Sequence, residues 1–432
     1  MSSRITELRA RQILDSRGRP TVEADVVLAD GSWGRACAPS GASTGRHEAL
    51  ELRDGISQDY EGLTVMRAVN HIRTEIAGAV TGLDALDQFV LDEALIALDG
   101  TVSLQRLGAN AVLATSLAAA RAAATHRGAP LYRHIASLLP NSVMSLPMPM
   151  VNILSGGAHA NRSMDFQDFL VIPVGATTYS EALHMISRVR NEAATLMRDQ
   201  ALPTLLADEG GLSPGYARTE QALTLMIASF EKAGFRPGED LAIALDVAAS
   251  ELFCAGQYLL TGEGRSFSSD EMADFIVDMT RRYPIISIED ALEQDDWTTW
   301  KRFTAALNTA QVVGDDLFAT NVERIKNGIT ANVGNAALIK LNQNGTLSGT
   351  LLAIKVCREN HYATVVSARS GETEDTFIAD LAVGTGAGQI KIGSVRNSER
   401  LGKYNQLLRI EEESGLPFAG MSKFGGQRGT RA

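Results

Sequence analysis

Between residues 240 and 393 a short apolar run recurs six times, as LAIALD, PIISIED, QVVGDD, AALIKLN, ATVVSARS and GQIKIG, and each run delivers a charged residue at or near its end. Those charged residues, Asp246, Glu289, Asp315, Lys340, Arg369 and Lys391, follow one another at intervals of 43, 26, 25, 29 and 22 residues. A strand plus a returning helix needs about that much chain, because parallel strands are joined by crossovers rather than hairpins. Two more runs upstream, around MVNILSGG and FLVIPVG, bring the count to eight. The expectation is an eight-stranded α/β barrel, a fold in which chemistry sits where the C-terminal strand ends share one mouth. The six charged ends would converge there.

The earlier part of the chain reads differently. Alternating strand-like runs, PTVEADVVLADG and SWGRACAPS, are followed by alanine-rich helical stretches, which predicts an α+β domain over residues 1–140 preceding a barrel over 141–432. The proline-punctuated SLLPNSVMSLPMPMVN marks the crossover. A formal net charge of −11 argues against sequence-independent binding to nucleic acid or anionic membrane, both of which need a basic footprint. Three scattered cysteines, Cys37, Cys254 and Cys357, suit reduced thiols rather than a disulfide framework or a zinc site. The charged N-terminus lacks the apolar core of a signal peptide, and Asn110, Thr115 and Arg121 interrupt the most apolar helical stretch, so a cytoplasmic protein is expected.

Three carboxylates at adjacent strand ends repel one another unless a cation lies among them. Asp246, Glu289 and Asp315 therefore point to a hard divalent ion with all-oxygen ligands, for which Mg²⁺ is the natural choice; unrelated surface acids are the alternative. The next three ends are cationic. A lysine beside a second lysine and a metal loses proton affinity and suits a general base, while Arg369 with Ser370 suits an oxyanion; simple ion pairing with the acids is the competing reading. LLADEGGLSP offers Glu209 before two glycines, either as an acid or as a turn carboxylate. APSGASTG reads as a lid or merely a turn.

The motifs DSRGRPTVEADV, APSGASTG, HEALELRDG, ADEGGLSP, ALDVAASE, SIEDAL, VGDDLFATN, LIKLNQ, SGETED, GQIK and KYNQLLRIEEE together resemble the enolase family, over roughly residues 3 to 420. The resemblance implies an N-terminal α+β capping domain on a modified (β/α)8 barrel whose second strand is antiparallel, assembled as a homodimer or a higher oligomer. It implies elimination of water from 2-phosphoglycerate to give phosphoenolpyruvate. Asp246, Glu289 and Asp315 would hold one Mg²⁺ at the substrate carboxylate, and Ser43 would help place a second, shared with the phosphate. Lys340 would take the C2 proton and Glu209 protonate the leaving hydroxyl, with Asp168 and His159 close by. Gln167, Arg369, Ser370 and Lys391 would complete substrate binding. A Lys or His base with one or two Mg²⁺ ions is the general pattern of the enolase superfamily.

The chain departs from that pattern at specific places. Ala368 replaces the family's histidine, so SHRSGE reads SARSGE, and Asp168 replaces a glutamate. Ser155 stands for asparagine in NGG, Ile392 for threonine, and Asn344 for isoleucine. The expected metal ligands and base are retained, whereas the phosphate and leaving-group ends have changed. The expectation is a specialised paralogue acting on a phosphorylated or phosphonate substrate, such as a carboxyphosphonoenolpyruvate synthase of phosphonate biosynthesis. An ordinary glycolytic enolase is the alternative, and an inactive binding paralogue a more remote one.

Overall fold

The computed structural model describes residues 2–42, 45–55 and 58–425. Three antiparallel strands, β1 (Ile5–Leu14), β2 (Pro20–Leu28) and β3 (Trp33–Cys37), open the chain in the order β1-β2-β3. The helix Ala109–His126 packs on this sheet, and its alanines explain how closely. A Cβ on Gly34 would come within 2.3 Å of Ala122 N and 2.4 Å of Ala118 O, so a strand without a side chain meets a helix with small ones. Burial against the sheet accounts for the apolar character of this helix. Among the described residues no helix is long and apolar enough to cross a membrane.

After the helix Leu131–Leu138 the chain enters a closed barrel at β4 (Met148–Ser155). Leu146 is fixed on the way by the C-terminal segment, donating its N–H to Pro417 O and accepting from Ala419 N–H, both at 2.9 Å. The barrel continues with β5 (Asp168–Ile172) and β6 (Ala242–Asp246). A small antiparallel sheet of β7 (Phe253–Cys254), β8 (Gln257–Leu260) and β9 (Arg265–Phe267) follows, and then β10 (Ile285–Glu289), β11 (Gln311–Gly314), β12 (Ala336–Ile339), β13 (Ala363–Ser367) and β14 (Gly388–Lys391). The inserted sheet explains why the first interval between charged ends is much longer than the rest. Neighbours run parallel except at β5, which is antiparallel to both β4 and β6.

Side chains alternate across a strand, so every second residue faces the barrel interior. Met148, Met150, Leu170, Ile172, Ala244, Val313, Ala336, Leu338 and Val365 fill that interior. Continuing each row by twos toward the mouth gives Asn152, Asp168, Asp246, Asp315, Lys340 and, beyond Ser367, Arg369. The remaining two rows run from Ser287 to Glu289 and from Gln389 to Lys391. Deeper in the barrel Gln311 Nε2 donates to Gln389 Oε1 at 2.9 Å and to Ser287 Oγ at 3.1 Å, so the polar residues of these rows satisfy one another below the mouth. All eight strands thus bring a polar or charged side chain to the same opening.

Candidate active site

Lys391 stands between the first two acids, with Nζ 2.7 Å from both Asp246 Oδ2 and Glu289 Oε2. Lys340 is paired with Asp315 Oδ2, whose other oxygen accepts from Gln343 Nε2 at 2.8 Å. The cations therefore do not merely face the acids; both lysines contact them directly. The expectation of a depressed proton affinity was for a lysine with a metal beside it, whereas here the lysines stand against the acids themselves. Burial is the largest single influence on Lys340 and works against its ammonium, but the Asp315 and Glu289 carboxylates together raise the pKa above the usual lysine value. Lys391 is raised well above that value for the same reason, with Asp246 and Glu289 opposing burial. Gln167 Nε2 adds a 3.2 Å hydrogen bond to Asp246 Oδ2.

The strand tips are aimed by unusual backbone. Ala248 (φ +49°) and Asp290 (φ +44°), both non-glycine residues in the left-handed region, lie just beyond Asp246 and Glu289. The turn at Asp290 sends its carboxylate to the neighbouring strand end, where it accepts from the N–H groups of Asp315 at 2.9 Å and Asp316 at 2.7 Å. Asp290, Asp315 and Asp316 offer ligand atoms within 4.8 Å of one another. Burial and the Asp315 charge push Asp316 up to about 7.

The donor set fits a hard cation. Glu289 Oε1 is buried without a hydrogen-bond partner, and burial together with the charges of Asp246 and Asp315 pushes this carboxyl well above the ordinary range. Two carboxylates share one ammonium, and the orphaned oxygen lacks any positive neighbour bonded to it. A divalent ion coordinated by oxygen relieves both conditions.

At the tip of β13, Arg369 is buried and bound to the capping domain. Its Nη1 donates to Glu48 Oε2 at 2.8 Å and to Asn342 Oδ1 at 2.9 Å. Glu48 in turn accepts from Gly45 N–H at 2.8 Å, at the far end of the APSGASTG loop. Ser370 Oγ accepts from Ala42 N–H at 2.6 Å and from Arg17 Nη1 at 3.4 Å, and Ser40 and Gly371 exchange two backbone hydrogen bonds at 2.8 and 2.9 Å. The loop thus lies against the Arg369–Ser370 pair. Ser43, expected to serve a second metal, lies outside the described residues. Ala368 is buried at 5 % exposure, and its N–H donates to Lys391 O at 2.9 Å, between the strand tips carrying Arg369 and Lys391.

A third group occupies the β4–β5 side. His159 Nδ1 lies 3.1 Å from Asp168 Oδ2 and its Nε2 3.8 Å from Glu209 Oε1. A register shift between Asn152 and Leu154 sets Ser155 opposite Asp168, and Ser155 Oγ donates to Asp168 Oδ1 at 2.6 Å. Asn152 Nδ2 donates to Glu209 Oε2 at 3.2 Å. The double glycine after Glu209 permits this: a Cβ on Gly211 would fall 2.2 Å from Ser155 Oγ. Burial disfavours the charged imidazole, yet Glu209 and Asp168 raise the His159 pKa to about 9. We expect a ring-carbon NMR titration to show His159 still protonated at pH 8, and a midpoint below 7 would contradict this arrangement.

Arg17, Glu48 and Asn152 were not singled out by the sequence, and Ser155 was noted only as a departure from the family pattern. Asn152 obeys the same period-of-two rule as the charged tips but carries no charge to draw attention. Glu48 and Arg17 lie within matched motifs, HEALELRDG and DSRGRPTVEADV, yet nothing local reveals that they contact residues more than 300 positions away.

Two family models match the chain. The N-terminal domain of enolase covers residues 5–135, and the C-terminal TIM barrel domain of enolase covers residues 143–428.

Proposed function

The chain belongs to the enolase family and is an enolase-superfamily enzyme, and from that premise we propose that it abstracts the C2 proton of 2-phosphoglycerate or a close phosphorus-containing analogue to form an enol product. The observation that carries this reading is the opposition of Lys340 to the Asp246–Glu289–Asp315 tips within one buried mouth. Asp246, Glu289 and Asp315 would hold Mg²⁺, which when bound withdraws charge from the substrate carboxylate and so makes the adjoining C–H more acidic. Lys391, released from its carboxylates, would bind that carboxylate. Lys340 would need to give its proton away first, and weakening of its contact with Asp315 lowers its proton affinity in the required direction. Glu209, which its cationic neighbours hold ionised, would take a proton from the protonated His159 3.8 Å away and deliver it to the leaving group. Arg369 and Ser370 would hold the phosphorus oxyanion, with Gln167 contributing to substrate binding. Two ions, a cytoplasmic location and a homodimer belong to the same proposal.

Two departures from the family pattern touch each other, since Ser155 and Asp168 are joined by the 2.6 Å hydrogen bond. Both side chains are shorter than the residues of the family pattern, which would set the carboxylate of the pair back from the mouth. A carboxylate one methylene shorter is displaced by roughly 1.5 Å, and misplacement of that order costs about a hundredfold in rate. This favours a specialised paralogue, of which a carboxyphosphonoenolpyruvate synthase is the example with the fitting chemistry. We expect weak or no dehydration of 2-phosphoglycerate by the native protein, and a gain of about tenfold or more in the Ala368→His, Asp168→Glu variant. Fast native turnover that the two reversions leave unchanged would favour the ordinary glycolytic activity instead.

A further inference from the structure

Arg400, on the helix Ser398–Ser414, is completely buried although it carries a permanent charge. Its fork serves three backbone carbonyls: Nη1 donates to Arg369 O at 2.6 Å and to Ile392 O at 3.0 Å, and Nη2 donates to Ser370 O at 2.6 Å. Among the described residues its one ion-pair contact is Glu399, 3.4 Å from Nε, and Nε makes no hydrogen bond. A buried cation normally seeks an anion; this one is spent on main chain.

We infer that Arg400 is a positioning residue for the Arg369–Ser370 clamp, holding its peptide groups in the orientation that receives a phosphorus oxyanion and adding a buried positive charge behind it. The inference rests on the reading of Arg369 and Ser370 as an oxyanion clamp and extends it to a residue that touches no substrate.

The geometry follows from peptide planarity. In a trans peptide the C=O of one residue and the N–H of the next point in opposite directions. Fixing the carbonyls of Arg369 and Ser370 against Arg400 therefore fixes the N–H groups of Ser370 and Gly371 on the opposite side. The second of these is seen to reach across to Ser40 O of the capping domain, 2.9 Å away. That bond takes up the Gly371 N–H, so the N–H of Ser370 is the peptide donor that Arg400 would orient toward an anion. The third carbonyl, of Ile392, follows Lys391 directly, so one guanidinium registers the tips of β13 and β14 against each other. The same group borders the acid end of the mouth. A Cβ on Gly393 would meet Glu209 O at 2.9 Å and Arg400 Cδ at 3.2 Å, and the Arg400 charge helps hold the Glu209 carboxyl below its usual value, second to His159 among the charges that do so. Lysine cannot reproduce the arrangement, since it lacks the rigid planar fork.

The test uses inorganic phosphate as the probe, measured by ³¹P line broadening in the presence of Mg²⁺, alongside Mg²⁺ affinity without phosphate. We expect Arg400→Met to weaken phosphate binding about tenfold or more and Arg400→Lys about threefold or more, the loss expected for hydrogen bonds from a charged donor. Mg²⁺ affinity should stay within about twofold, because Asp246, Glu289 and Asp315 lie on other strands. Phosphate affinity unchanged in folded Arg400→Lys and Arg400→Met overturns the inference, as does a parallel loss of Mg²⁺ affinity, which would reveal a merely structural role. If Arg400→Met does not fold, Arg400→Lys decides by the same criterion, and failure of both to fold counts against the inference. Arg369→Ala separates the two readings: phosphate binding indifferent to that change would remove the clamp itself, whereas sensitivity there with indifference at Arg400 would remove only the positioning role.

Discussion

Lys340→Ala is expected to reduce exchange of the C2 proton of bound 2-phosphoglycerate in D₂O by about a thousandfold, within the range usual for loss of a general base. Lys391 is not expected to replace it, because with substrate bound it would be engaged by the substrate carboxylate. The variant should also bind Mg²⁺ more tightly. Removing the ammonium frees Asp315 Oδ2 while Gln343 continues to hold Oδ1, leaving a carboxylate oriented but no longer neutralised. Base loss and metal gain in one variant distinguish a catalytic lysine from a structural one, which would lose both. Undiminished exchange would take Lys340 out of the role.

Glu289→Ala is expected to act in the opposite sense on the metal. Lewis-acid stabilisation is worth several kcal/mol, so Mg²⁺-dependent turnover should fall by roughly a thousandfold or more. The fold should survive, because Lys391 retains Asp246 and one of the two carboxylate oxygens removed has no hydrogen-bond partner in the protein. Asp246→Ala should be similarly inactive but less well ordered, since it also strips the partner of Gln167 and leaves Glu289 alone with Lys391. Calorimetric Mg²⁺ titration with an activity assay checks both. Metal affinity and rate equal to wild type in either variant would mean the ion binds elsewhere.

The strand rhythm proved readable because two simple rules reinforce one another. A crossover fixes the spacing between strands, and alternation fixes which residue of each strand faces inward. LAIALD and AALIKLN state both rules in a few letters, and the closed barrel has that arrangement, whereas its antiparallel β5 was implied only by the family resemblance. Contacts made through folding rather than along the strand were not readable. Nothing in HEALELRDG announces that Glu48 will hold Arg369, and Arg400 sits in a helix whose sequence looks like any charged amphipathic stretch. The protonation of Lys340 in the absence of a metal was not readable for a related reason. Sequence shows which charges share a mouth, but the sign of a pKa shift depends on which of them is in contact, and Asp315 is.

The route by which the capping domain joins the mouth bears on how the molecule assembles. Arg369 and Glu48 are separated by 321 positions along the chain, and Cys37 N–H meets the Asp375 carboxylate across 338. Pairings of such range form late, because the entropy of closing the intervening chain is lost before the contact offers anything in return. The barrel strands from β4 to β14 are each registered on a neighbour nearer in sequence, and only the closure of β14 on β4 spans a comparable range. Newly made chains are therefore expected to pair neighbouring barrel strands before the barrel closes and before the clamp meets its carboxylate partner, so that competence for anion binding trails behind the appearance of secondary structure.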